Sequence, residues 1–345
     1  MQNQNSTANS LPPFFKKGAP VYVIAEGEIN HNGNLETALQ MVDAAKESGA
    51  DAIKFQFIVA DEIATPDSPY YAIFKGVELS KEDFTKILER AYKNQIDCFL
   101  TVPSVKTLVP VLELKPSLIK IGSTNLTNLP LLEAIGRAGV PVLFSTGIGR
   151  LGEIEEALTA LNSPPLPSAI MHCTVQYPAK IDQLNLRAIP LMTAAFPDHP
   201  IGYSDHTLGI VASVSAVTLG ARIIEKHFTL DRTQKGPDHG FSTEPKDFKN
   251  FVEAIRQTES ALGDSAKKPA AAEAPMIKSA RRYLVAARNI ECGKILESDD
   301  LALRRVPPDT EGGIEPRFLN LLTGWKAPKN FKSGEPLTWP VFKQA

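Results

Sequence analysis

Residues 200–228 read PIGYSDHTLGIVASVSAVTLGARIIEKHF. An apolar run, PIGYSD, ends on an acid and leads into His206. A segment with helical apolar spacing, Leu208–Leu219, follows. A second apolar run, ARIIEKHF, carries His227 near its end. Strand, helix and strand within about thirty residues make one βαβ unit. The same period runs back through the chain. Short, often β-branched runs recur at 21–26 (VYVIAE), 51–56 (DAIKFQ), 97–101 (DCFLT), 118–123 (LIKIGS), 140–146 (VPVLFST) and 169–175 (AIMHCTV). Amphipathic segments separate them at Leu35–Glu47, Lys81–Tyr92, Val105–Leu114, Pro130–Ala138, Gly152–Leu161 and Leu186–Ala195, and Pro245–Leu262 follows the last run. This alternation over residues 21–262 predicts an α/β chain built on a (β/α)8 TIM barrel. A doubly wound open sheet is the alternative, but it carries a glycine-rich phosphate turn after its first strand, and none is present here.

The rest of the chain divides around that barrel. Residues 1–20, rich in Asn, Gln, Ser and Pro, predict a flexible tail. Residues 263–280 (GDSAKKPAAAEAPMIKSA) have no apolar period and read as a linker. Residues 281–345 alternate short apolar pieces with Gly, Pro and acidic turns and predict a small, mostly β module. The formal net charge is −2 with 43% hydrophobic residues, which argues against nucleic acid or an anionic membrane as partner. Three widely spaced cysteines fit neither a disulfide framework nor a zinc site. With no signal peptide or membrane span legible, the sequence predicts a cytoplasmic protein.

In such a barrel the chemistry gathers at the carboxyl ends of the strands. Those ends carry Glu26, Lys54, Gln56, Lys120, Ser123, Ser145, Tyr177, Ser204, His206, Glu225 and His227, with Asp238 in the last loop. His206 and His227 end neighbouring strands and therefore converge. Two imidazoles with open positions suit a catalytic divalent metal, and two separate hydrogen-bonding niches are the alternative. Lys54 and Lys120 lie within apolar runs, where an amine is costly without an anion. Three roles fit them: structural ion pairs with Glu26 and Glu225, an anion site aided by the Ser123 and Ser145 hydroxyls, or a Schiff-base amine. Glu26 suits a general base or a partner for Lys54. The Asn30–Gly33 run (NHNG) reads as a polar turn before the first helix.

Taken together the segments resemble the sialic acid synthase (N-acetylneuraminate synthase) family. The resemblance is carried by IAE (24–26), INHNG (29–33), GADAIKFQ (49–56), KIGS (120–123), STG (145–147), CTVQYP (173–178), GYSDHTLGI (202–210), IEKHFTLD (224–231) and GPDH (236–239). RRYLVAARNIECGKIL (281–296) and LALRRV (301–306) resemble the family's C-terminal SAF, or antifreeze-like, domain. The resemblance implies an enzyme that condenses phosphoenolpyruvate with an N-acetylmannosamine-type aldose and water, releasing phosphate by carbon–oxygen cleavage. It implies a divalent metal, Mn2+ or Mg2+, on His206 and His227. Phosphoenolpyruvate then falls to Lys54, Lys120, Ser123, Ser145 and Ser204, and the sugar to Gln56, Tyr177 and Asp238. Arg305 closes over the sugar from the partner subunit of a domain-swapped homodimer. Glu26 and Asp238 join the two histidines as the catalytic set. A different aldose, or a sugar-binding barrel without turnover, are the alternatives.

Departures from the family pattern fall mainly at sugar-facing positions. Gly27-Glu28 adds an acid beside the site, Thr124-Asn125 stands where Gly-Glu is common, Thr101-Val102-Pro103 replaces Ser-Thr-Pro, and Val175 replaces Asn or Ser. The lysines and histidines are kept. This pattern implies an acceptor other than plain N-acetylmannosamine, such as a modified or deoxy amino sugar.

Overall fold

The structure, a computed structural model, describes residues 11–162 and 165–343, with the Lys278 side chain outside that description. The chain forms two compact units, Met1–Gly263 and Asp264–Ala345. In the first, eight parallel strands close in sequence order into a barrel. The order is β1 (Tyr22–Glu28), α1 (Leu35–Glu47), β2 (Ala52–Gln56), α2 (Ala60–Ile63), α3 (Tyr71–Gly76), α4 (Lys81–Lys93), β3 (Asp97–Thr101), α5 (Val105–Glu113), β4 (Ile119–Ile121), α6 (Leu129–Ala138), β5 (Val142–Ser145), α7 (Leu151–Leu161), β6 (Ser168–Cys173), α8 (Ala188–Ala195), β7 (Ile201–Asp205), α9 (Val211–Thr218), β8 (Ile223–His227) and α10 (Pro245–Leu262). The (β/α)8 expectation is met.

Strand parity builds the two cores. Outward residues such as Val23, Ile53, Leu100, Ile119, Val142, Ile170, Tyr203 and Ile224 pack against the helical stripes. The α1 stripe is Ala38, Met41, Val42 and Ala45, and the helix starts where Asn34 accepts the Thr37 N–H at 3.0 Å. Inward residues change character along each strand. Their amino-terminal members, Tyr22, Ile24, Ala52, Phe99, Leu118, Leu143, Ala169, Met171 and Ile223, form an apolar plug. The next inward positions, reached by the two-residue period, are Glu26, Lys54, Thr101, Lys120, Ser145, Cys173, Ser204 and Glu225. On β7 the inner-face residue is Gly202, where an added Cβ would lie 2.8 Å from that of Ile223.

The structure departs from expectation in three places. Residues 1–10 lie outside the described residues, but the predicted tail does not hold for Pro13–Phe15. These form a short 3-10 helix, and Phe14 is fully buried in the apolar plug with its ring 5.1 Å from that of Tyr22. Two bulky rings outweigh the polar composition around them. Second, α2 and α3 lie between β2 and α4 where no helix was predicted. They are too short to show a 3.6-residue repeat, and the TPDSP turn (65–69) interrupts them. Third, the predicted linker contains α11 (Ala274–Ala280), an Ala-containing stretch with adequate helix propensity.

The second unit is a small sheet of β9 (Tyr283–Ala286) and β10 (Leu301–Arg304), antiparallel, with isolated bridges such as Ile290–Phe331 and Val285–Pro336. Two short helices, α12 (Leu319–Leu322) and α13 (Trp339–Lys343), complete it. Its own core gathers Leu284, Ile290, Ile314, Phe331 and Leu337.

Because Phe14 is wholly buried beneath the barrel strands, Phe14→Ala should cost about 3–5 kcal/mol of unfolding free energy. Urea denaturation followed by tryptophan-independent far-UV circular dichroism measures it; a loss under about 1 kcal/mol would mean the aromatic is not part of the core.

Candidate active site

The inward polar layer opens into a cavity of about 540 Å3 at the carboxyl ends of the strands. Of the sequence-predicted residues, Glu26, Lys54, Gln56, Lys120, Ser123, Ser145, Tyr177, Ser204, His206 and His227 all line it. Asp238 meets the cavity wall through Glu28 and His227. Arg305 lies in the second unit, exposed, immediately after β10.

Two buried ion pairs form the floor. Lys120 Nζ lies 2.6 and 2.7 Å from the two Glu225 oxygens, and Ser204 donates to Glu225 Oε1 at 2.8 Å. Burial raises the Glu225 pKa, but Lys120 and then Lys54 outweigh it and hold the carboxyl at about 2. Lys54 contacts Glu26 directly and donates to Thr101 Oγ1 at 2.7 Å. Burial pulls the Lys54 ammonium down to about 7, with the Glu225 charge opposing the shift and the Lys120 charge adding to it. The ion pairs that the sequence allowed for these lysines therefore form, and both amines still border the cavity. Thr101 also answers one departure from the family pattern: its hydroxyl is the Lys54 acceptor, while Val102 is buried in the outer core.

The histidines face each other. Their ring centroids are 5.2 Å apart, with Tyr177 4.3 Å from His206 and Phe241 4.8 Å from His227. His206 Nδ1 donates to the Thr174 carbonyl at 2.8 Å, which fixes the tautomer and leaves Nε2 with a lone pair. Burial lowers the pKa of both rings, and His206 lowers that of His227 further. Both are therefore neutral at pH 7, the form that ligates a metal.

Asp205 and Lys226, neighbours of the histidines in sequence, point the other way. Asp205 accepts from Thr207 N–H and hydroxyl at 2.8 Å, from Ser213 at 2.6 Å and from Lys226 Nζ at 2.9 Å. This outer knot ties the ends of β7 and β8 to the start of α9 and so fixes where the imidazoles project. Asn30 does similar work, donating to Phe228 O and Ser242 Oγ, both at 2.9 Å.

Glu28 is the residue the sequence noticed but gave no role. A bulge between Glu26 and Glu28 shifts the β1–β2 register, and Glu28 adopts φ 40°. Its Oε1 accepts from Gln56 Nε2 at 2.5 Å. Its carboxyl is held well above the ordinary range by burial and then by the Asp238 charge. Strand parity would put Glu26 and Glu28 on one face, but the bulge between them breaks that count, so the sequence shows an extra acid and not its aim.

Hydroxyl and amide donors complete the wall. Ser145 Oγ is buried and unpartnered among the described residues, and Ser123 Oγ accepts the Gly147 N–H at 3.0 Å, leaving its own proton available. Gly147 is required there, because an added Cβ would come within 2.5 Å of Val175 and 2.9 Å of Ser123 Oγ. Asn125 accepts from Asn128 at 2.9 Å, and both line the cavity with Glu62, Ile63 and Phe74 from the α2–α3 insertion.

The Lys120–Glu225 pair makes a measurable prediction. Lys120→Met leaves a buried carboxylate without its main counter-charge and should cost about 3–5 kcal/mol at pH 7. In the parent protein the Glu225 contribution is full above its ordinary pKa of 4.5 and fades as pH falls towards about 2. The penalty of the substitution should therefore shrink over that window in acid-unfolding titrations. A constant penalty would mean the carboxylate is not the group left unpaired.

Comparisons with known proteins agree with this architecture. The NeuB family model matches residues 41–267, and the SAF domain model matches residues 281–343. An N,N'-diacetyllegionaminic acid synthase of Legionella pneumophila is 36% identical over 92% of this chain and 93% of its own. An uncharacterized protein of Methanocaldococcus jannaschii is 40% identical over 94% of this chain and 96% of its own. The crystal structure of an N-acetylneuraminic acid (sialic acid) synthetase from Leptospira borgpetersenii superposes with a TM-score of 0.72 at 36% identity, covering 75% of this chain and 90% of that one. With a closed barrel, a polar cavity at its carboxyl rim and a family model spanning most of the first unit, the chain belongs to the NeuB family, the sialic acid synthases, and carries a SAF domain.

Proposed function

We propose that this protein is a metal-dependent nonulosonate synthase. It joins phosphoenolpyruvate to an amino-sugar aldose and releases phosphate. The observation that carries the reading is the convergence of Lys54, Lys120, Ser123, Ser145 and Ser204 with His206 and His227 around one cavity. The likeness to the Legionella protein, an N,N'-diacetyllegionaminic acid synthase, supports it.

The donor set fits a divalent ion. Two neutral imidazoles face each other, His206 with a free lone pair and His227 with a buried Nδ1 that lacks a partner among the described residues. His206 and His227 would hold Mn2+ or Mg2+, which supplies Lewis-acid polarisation of the sugar aldehyde when bound. The chain's own groups do the rest. Lys54 and Lys120 offset the charge of the phosphate and carboxylate of phosphoenolpyruvate, and the unpartnered Ser145 hydroxyl and the free Ser123 proton donate to its oxygens. Carbon three of phosphoenolpyruvate bonds to the aldehyde carbon, whose oxygen takes up a proton. Water oxygen bonds to carbon two and gives its proton to Glu26, a carboxylate oriented by Lys54 and by the Glu28 N–H at 2.7 Å. The bond from carbon two to the phosphate oxygen then breaks: phosphate leaves with that electron pair, the carbon-two hydroxyl becomes the keto oxygen and its proton passes to the phosphate, while the proton held by Glu26 supplies the former aldehyde oxygen.

The acceptor we favour is a modified or deoxy amino sugar. Gln56, Asn125 and Asn128 present amides to the cavity, and Val175, Ile63 and Phe74 present apolar surface. That wall suits acetamido groups and a methyl group better than a fully hydroxylated tail. Tyr177 and Asp238 complete the sugar side in this reading. Arg305 is assigned to the sugar from the partner subunit of a homodimer. Three cysteines without disulfides accord with a cytoplasmic setting, and among the described residues no helix is long and apolar enough to cross a membrane.

A phosphate-release assay with phosphoenolpyruvate, Mn2+ and a panel of aldoses tests the reading. Release should require one aldose class, favour acetamido-deoxy sugars, and fall by about 100-fold or more in His227→Ala. Tight sugar binding with no release from any aldose would instead mark a binding protein.

A further inference from the structure

Glu28 occupies a conformation that a side chain-bearing residue adopts only under constraint. It has φ 40°, it directly follows a β-bulge, and its carboxylate is turned into the barrel rim. Gln56 satisfies Oε1 but nothing satisfies Oε2 among the described residues. That oxygen lies 3.2 Å from His227 Nδ1, which is itself unpartnered, in a side chain only 7% exposed. The carboxylate of Asp238 completes a group of three ligand atoms, all within 4.8 Å of one another. A buried carboxylate oxygen, a buried ring nitrogen and the carboxylate of the half-buried Asp238 lie close together, and Lys54 and Lys120 are taken by Glu26 and Glu225.

We propose that Glu28 and Asp238 are protein ligands of the divalent cation at His227, making this a carboxylate-rich metal site. The inference rests on the metal-dependent reading above and adds to it two oxygen donors that a histidine pair alone would leave to water. Ligand atoms about 2.0–2.2 Å from a common ion lie about 3–4 Å apart, which the cluster can reach with side-chain adjustment alone. Two carboxylates neutralise the ion and bias the site towards hard cations such as Mn2+ and Mg2+ over softer ones. The bulge and the left-handed backbone at Glu28 then have a physical reason: they re-aim one carboxylate from the strand onto the ion. Fewer open positions remain for the sugar, so the metal binds as a resident ion before substrate.

The test is Mn2+ titration of the full-length, chelator-treated protein, read by the electron paramagnetic resonance signal of free Mn2+ with no substrate present. The parent protein, Glu28→Gln, Glu28→Gly and His227→Ala are compared, with thermal unfolding of each metal-free form. Both Glu28 variants should weaken Mn2+ binding by roughly 10–100-fold. Glu28→Gly should also unfold at no lower temperature than the parent, because glycine accepts this φ without strain, so its loss of affinity is not a folding defect. Parent-like affinity in both Glu28 variants, with binding lost in His227→Ala, would overturn the role of Glu28 and leave the histidine metal site standing. Retention of binding in His227→Ala would overturn both.

Discussion

A buried pair of charges sets the terms for this barrel. Lys120 and Glu225 come from opposite parts of the sheet, are almost wholly excluded from solvent and interlock through two contacts, with Ser204 as a further donor. Neither group is tolerable there alone. With Lys54 and Glu26 alongside, the pairs create a polar stratum above an apolar one closed from below by Phe14. Every strand crosses the boundary at its inward positions, so no single strand can slip register without burying an unpaired charge or exposing a core residue. The same stratum that constrains the fold is the floor of the cavity.

In the proposed synthase reading, that double duty governs how the site would take up an anion. Both lysines are already neutralised by carboxylates, so the floor is not an open cationic patch. An incoming phosphate or carboxylate competes with Glu26 and Glu225 for the amines, and the unpartnered Ser145 hydroxyl is the donor left in reserve. A preorganised, charge-balanced floor keeps the free protein stable and lets the ligand redistribute existing hydrogen bonds rather than order new side chains. The histidines are held from outside the cavity by a separate network centred on Asp205 and Lys226, so the direction of the imidazoles and the electrostatics of the floor are anchored independently.

Much of this was legible in the sequence, for identifiable reasons. The 3.6-residue and two-residue periods are strong over long helices and buried strands, so α1 and α10 fall where the apolar spacing places them and β3 where its run of Cys, Phe and Leu does. The lysines and histidines could be placed near strand ends because the apolar runs that carry them end there. What failed was what periodicity does not encode. The helices α2 and α3 are too short to repeat, yet they bring Ile63 and Phe74 to the rim. Phe14 anchors a segment whose neighbours are polar. Asp205 reads in the sequence only as the acid that ends a run before His206, and its outward direction appears once the strand pleat is counted residue by residue. Glu28 was visible as an extra acid, but its aim depends on a bulge and a left-handed backbone that no local pattern announces.

The central claim is that one rim gathers a cation and a phosphorylated three-carbon acid. Diffraction from crystals grown with Mn2+ and phosphoenolpyruvate, with data collected at the manganese absorption edge, tests it most directly. The account predicts one anomalous peak per chain within bonding distance of His206 and His227, and the phosphate of phosphoenolpyruvate within hydrogen-bond reach of Lys54 or Lys120. A peak elsewhere, or phosphoenolpyruvate bound away from both lysines, would contradict it.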